Sequence, residues 1–117
     1  MKNRKTGTAI PFRVVTLDKP RRLRLGMGTI IEFEQLTGQK VMDINKDTEF
    51  VTIAQLLWVM MKREEKDMTF EEAIDIVDEY GGDLTEIMSI VGEVIGIAFG
   101  EKEEKKLEVL PETTPEN

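Results

Sequence analysis

The sequence predicts a mainly α domain in which an N-terminal β-hairpin packs on a small bundle of about four helices, with disordered ends. Three observations predict it. Two short runs rich in β-branched and alternating residues flank a proline turn within residues 12–25. Three helix-start signals of the form S/T/D-x-x-E/Q, at Thr52, Thr69 and Asp83, each precede an apolar run. Glycines stand where helices should stop, at Gly38, Gly81-Gly82 and Gly100.

In chain order, residues 1–11 are basic and unpatterned and read as a flexible arm. FRVVTL (12–17) and RRLRL (21–25) read as paired strands around the turn Asp18-Lys19-Pro20, with Leu23 and Leu25 on one side and Arg22 and Arg24 on the other. A lone hairpin is marginal in water, so it must pack on helices or pair with another chain. Ile30, Ile31, Phe33 and Leu36 are helically spaced and give a first helix over 27–37. A second helix over 53–65, started by a capping box of Thr52 and Gln55, is apolar nearly all round and should be the central core helix, with Trp58 packed in it. A third runs over 70–80, with Phe70, Ala73, Ile74 and Val77 inward and Glu71, Glu72, Asp75, Asp78 and Glu79 outward. A fourth runs over 84–99. Residues 12–100 thus form one domain, and residues 101–117 read as a charged, mostly disordered tail.

Composition narrows the function. The chain has neither cysteine nor histidine, which removes disulfides, the usual zinc ligands and the side chain best suited to proton transfer near neutral pH. No stretch is apolar for long enough to span a bilayer, and the N-terminus lacks the apolar run of a signal peptide; a cytoplasmic protein is expected. Charge is divided sharply. Residues 1–25 carry eight bases and one acid, whereas residues 26–117 carry eight bases and 22 acids. Such a chain can dock head to body, within one copy or between copies, or offer a basic arm to nucleic acid.

Each constellation has a plainer reading beside the functional one. Gly92, Gly96 and Gly100 are spaced by four and could receive a partner helix, but packing inside the monomer explains them more simply. The acidic stretch from Glu71 to Asp83 lacks a cation-loop pattern and reads as a solvated or docking face. Glu32, Glu34 and Glu93 do not form a convincing catalytic pair, and no nucleotide-binding or hydrolase motif occurs. A binding protein with no cofactor and no metal is therefore expected, rather than an enzyme.

RLRLGMGTIIEFEQLTGQKVMDI, followed by TIAQLLWVMMKREEKDMTFEEAIDIVDEYGGDLTEIMSIVGEVIGIAFG, resembles the small tail assembly chaperones of long-tailed bacteriophages and prophages, to which small proteins of gene transfer agents are related. The shared pattern begins with a short strand and a helix with acidic and Leu residues before Thr-Gly (Glu34, Leu36, Thr37, Gly38). An apolar LLW helix (Leu56, Leu57, Trp58), an MT-x-EEA helix start (Met68, Thr69, Glu71, Glu72, Ala73) and a last apolar helix follow. The resemblance covers residues 21–100 and rests on structural motifs. It implies non-catalytic binding of the tape measure protein, whose apolar helical chain is kept soluble, and recruitment of the tail tube protein. It also implies a longer frameshifted product, for which Lys105-Lys106 marks the place to inspect the codons. Arg22 and Arg24 of the hairpin and Gly92, Gly96 and Phe99 of the last helix are the expected contact residues, with self-association a further expectation. The alternative is a small prophage regulator that binds nucleic acid through residues 1–25. It is disfavoured because Phe12 is the only aromatic among those bases and the acidic body repels phosphate.

Overall fold

The computed structural model describes residues 11–100. Among them the order is β1 (Arg13–Thr16), β2 (Pro20–Leu23), α1 (Met27–Thr37), a short 3-10 turn (Val41–Asp43), α2 (Phe50–Met61), α3 (Phe70–Tyr80) and α4 (Leu84–Ala98). The fold is mainly helical with an N-terminal antiparallel hairpin, as the sequence predicts. The expected arm, apart from Pro11, and the expected tail lie outside the described residues.

The hairpin register pairs Arg13 with Leu23, Val14 with Arg22, Val15 with Arg21 and Thr16 with Pro20. Residues opposite one another share a face, so Val15, Arg21 and Leu23 point inward with Leu17 and Leu25, while Val14 and Arg22 face solvent. The strands are shorter than the expected 12–17 and 21–25. Pro20 belongs to the second strand rather than to the turn, because its fixed φ suits extended backbone and it can begin an edge strand without a donor.

α1 matches its expected span and ends in Gly38, whose φ of 73° places it in the left-handed region. Phe33 is its fully buried anchor; Ile31 and Leu36 remain exposed. α2 is the central element and contacts α1, α3 and β2. It buries Ile53, Leu56, Leu57, Val59, Met60 and Met61, each of the larger side chains contributing about 1.5–3 kcal/mol by leaving water.

Both ends of α2 correct the sequence expectation. The helix begins at Phe50 with Glu49 as N-cap, and the amides of Thr52 and Ile53 both donate to the Glu49 carbonyl, at 3.0 and 3.1 Å. Thr52 is thus inside the first turn and buried, so no Thr52–Gln55 capping box forms. The helix also stops at Met61 rather than 65. Amides of Arg63 and Glu64 reach back three residues, to Met60 and Met61, and tighten the chain into a turn. That turn sets Glu64 and Glu65 against the hairpin.

The other two boxes form. Thr69 Oγ1 accepts from the Glu72 amide at 3.1 Å, and Glu72 Oε1 accepts from the Thr69 amide at 2.9 Å. Asp83 and Glu86 exchange the same pair of bonds at 2.9 and 2.8 Å. Gly81 separates the two helices; a Cβ there would lie 2.6 Å from the Val77 carbonyl oxygen, so the tight α3–α4 corner excludes a side chain. Trp58 ties the α2–α3 connection. Its Nε1 donates to the Met68 carbonyl at 2.9 Å, and its ring meets Phe70 at 5.5 Å between centroids, with Lys62 Nζ 4.4 Å from its centre. α4 reaches the core through Val91 and Val94.

Candidate functional site

The basic hairpin docks on the acidic body of its own chain. Arg21 is 4% exposed. Its Nε and Nη2 donate to the two oxygens of Asp18 at 2.9 and 2.7 Å, and its Nη1 donates to Glu65 Oε1 at 2.9 Å. Lys19 adds a longer contact to the same Glu65 oxygen, at 3.6 Å. Arg22 binds Glu64 at 2.7 Å, and Arg13 reaches across to Glu93 of α4. A guanidinium forked onto one carboxylate and shared with a second is the arrangement that compensates a buried cation.

The titrations follow from this geometry. Hydrogen bonds from Arg21 hold the Asp18 and Glu65 carboxyls below the ordinary carboxylate range, against a smaller opposing effect of burial. Burial alone would raise Glu64. Hydrogen bonds from the Arg22 side chain and amide, with the nearby charges of Arg22 and Arg24, turn the net shift downward. The hydrogen bond to Asp18 raises the Arg21 pKa, so this guanidinium stays charged although it is buried.

The expected contact residues do not form one site. Arg22 is paired with Glu64 and lies over the Phe12 ring, 5.7 Å from its centroid. Arg24 is exposed and lines a separate polar recess with Lys62, Arg63, Lys66 and Glu32. Glu32 already binds Lys62 at 2.6 Å there. Gly92 and Gly96 border a recess of about 350 Å³ between α4 and Ile44–Lys46, but they differ: Gly96 is buried and Gly92 opens to solvent. Phe99 caps the end of α4 and is exposed.

The surface that sequence reasoning missed lies between α2, α3 and α4. Phe50 and Leu57 of α2, Ile74 and Val77 of α3, and Leu84 and Ile87 of α4 line an apolar groove of about 140 Å³, with Asp78 at its edge. Phe50 and Leu84 stand on its rim, 62% and 57% exposed. Isolated exposed apolar residues are ordinary; several converging on one concavity make this groove a candidate binding surface. Sequence signals existed: Phe50 and Val51 precede the apparent helix start at Thr52, and Leu84 is the first residue after the Asp83 cap.

The α3–α4 side of this groove carries charge of one sign. Residues 67–100 contain nine acids and no Lys or Arg. Glu72 and Glu86 serve as caps and Glu93 binds Arg13; Asp75, Asp78 and Glu79 have no cation within salt-bridge distance among the described residues. No group of three or more carboxylates among the described residues is placed to hold a metal ion, and no helix among them is long and apolar enough to cross a membrane. No protein-family model, curated protein or solved structure matches this chain.

Proposed function

We propose that this chain is a stoichiometric, non-catalytic binding protein, a tail assembly chaperone of a long-tailed phage or prophage. Its clients are the tape measure protein and, through it, the tail tube protein. The observation that carries the reading is the open apolar groove between α2, α3 and α4, with Phe50 and Leu84 exposed beside it. A chaperone for an apolar helical client needs an accessible apolar surface and a charge excess that keeps the complex in solution, and residues 67–100 supply both. The motif resemblance over residues 21–100 gives the reading its specific client.

Co-expression with a phage tape measure protein from the same genome tests it. The tape measure protein should become soluble and co-purify with the full chain. If a pulldown from that co-expression recovers none, the chaperone reading fails. The regulator reading depends on bases of residues 1–25, and Arg13, Arg21 and Arg22 are already engaged by carboxylates. A gel shift at low salt separates the two, since phosphate-driven binding is strongest there.

A further inference from the structure

We propose that the α2–α3–α4 groove takes a cationic amphipathic helix from a different protein, seating one bulky apolar side chain between Phe50 and Leu84 and setting Lys or Arg residues against Asp75, Asp78 and Glu79. This rests on the binding-protein reading and names the chemistry of the bound segment.

Size fixes the anchor. An apolar void of about 150 Å³ holds a benzene ring, so a groove of about 140 Å³ has room for one Phe or Leu side chain and not for a whole helix face. The helix itself must lie along the rim, where Phe50 and Leu84 offer its neighbouring apolar positions a surface.

Charge fixes the flanks. The hairpin consumes the carboxylates of Asp18, Glu64, Glu65 and Glu93, and Glu32 is held by Lys62 and Arg63. The acids of α3 have no such partners among the described residues. An occupant with Lys or Arg beside its apolar stripe gains attraction along the groove, and an acidic one is repelled.

Charge also separates a foreign partner from a second copy. α1, α2, α3 and α4 contain no Lys or Arg within their spans, so no described helix of another copy supplies an apolar stripe with basic flanks. The exposed cations of the hairpin and of the turn after α2 lie on short, non-helical segments.

The test uses the full chain and a fluorescein-labelled amphipathic peptide of about five helical turns, with Leu at i, i+3, i+4 and i+7 positions and Lys on its flanks. Its counterpart has Glu in place of every Lys. Anisotropy should show saturable binding of the Lys peptide that weakens with added salt, and little binding of the Glu peptide. Leu84→Lys and Phe50→Ser should each weaken binding by about tenfold, as expected for central apolar contacts. Asp78→Lys should weaken it by a smaller factor, and Gln35→Lys on the distant face of α1 should not. Trp58 fluorescence and circular dichroism establish that each variant is folded.

Equal binding of both peptides, or binding untouched by the groove variants but lost in Gly92→Arg, overturns the proposal. So does a wild-type oligomer, seen by sedimentation, that dissociates in Leu84→Lys and does not bind the peptide: the groove is then a contact between copies. Tape measure protein that co-purifies undiminished with Leu84→Lys and Phe50→Ser overturns the groove assignment and leaves the chaperone reading standing. Groove-dependent peptide binding without any tape measure association supports the groove and removes the chaperone reading.

Discussion

The hairpin and the α3–α4 side of the molecule use charge in opposite ways. At the hairpin, Arg13, Arg21 and Arg22 each meet a carboxylate of the same chain, and the apolar face formed by Val15, Leu23 and Leu25 is buried. Along α3, Asp75, Asp78 and Glu79 stand without cations among the described residues, and Phe50 and Leu84 stand in solvent. The hairpin is satisfied internally, and the groove between α2, α3 and α4 is open. The difference teaches that a chain-wide division of charge does not locate a binding surface at its most charged segment. The bases of the hairpin are held by carboxylates of the same chain, whereas Asp75, Asp78 and Glu79 have no cation beside them among the described residues.

Four experiments break or sharpen this contrast, from the largest expected effect to the smallest. Leu23→Ala should cost about 3 kcal/mol, because its side chain is fully buried between the hairpin and α2 and a cavity would remain. Urea unfolding followed by circular dichroism measures it. A negligible loss would mean that the hairpin is not an integral part of the fold.

Arg21→Ala should cost about 2 kcal/mol, below the roughly 3–5 kcal/mol for breaking a fully buried pair because both carboxylates remain partly in water. Arg22→Ala, an exposed pair, should cost less than about 1 kcal/mol. The same comparison has a pH signature. Asp18, Glu64 and Glu65 have folded pKa values below their unfolded values of about 4, so their contribution is complete above that pH and is lost as pH falls through the lower folded values. Thermal unfolding between pH 7 and 3 should show a decline below about pH 4 that is shallower in Arg21→Ala.

Thr69→Ala and Asp83→Ala should each cost about 1 kcal/mol by removing an N-cap acceptor. Gln55→Ala should cost much less than either, since its box is not formed. Equal costs for all three would mean that α2 starts at Thr52 in solution. Phe50→Ser and Leu84→Ser should shift stability by no more than about 0.5 kcal/mol, as exposed positions do. A loss of several kcal/mol on substituting either would show that the groove is closed core.

Much of the architecture was legible because its signals are local. Thr69 and Asp83 each satisfy an amide three residues on, and Gly38 supplies the left-handed turn that ends α1; none of these depends on distant chain. The matching signal at Thr52 failed because a capping motif does not register what precedes it. Phe50 and Val51 extend the helix upstream and carry Thr52 into its first turn, where it is buried. The candidate contact residues were less legible still. Gly92 and Gly96 share a spacing in sequence, yet one faces solvent and the other is buried, because burial is set by packing across the fold that spacing does not register.

Arg21 shows where sequence stops and tertiary structure begins. Strand alternation by itself puts Arg21 on the same side as Leu23 and Leu25, so an inward-pointing arginine was determined locally. Asp18, three positions away, gives that arginine its main carboxylate partner; the tertiary structure added a second, Glu65, 44 positions away, which the turn after α2 brings to 2.9 Å. The sequence alone likewise determined that residues 67–100 would be acidic and amphipathic, since composition and period need no partner. Only the packing of α2, α3 and α4 decided that Phe50, Val77 and Leu84 would converge on one open groove, because burial depends on which surfaces the folded chain brings together.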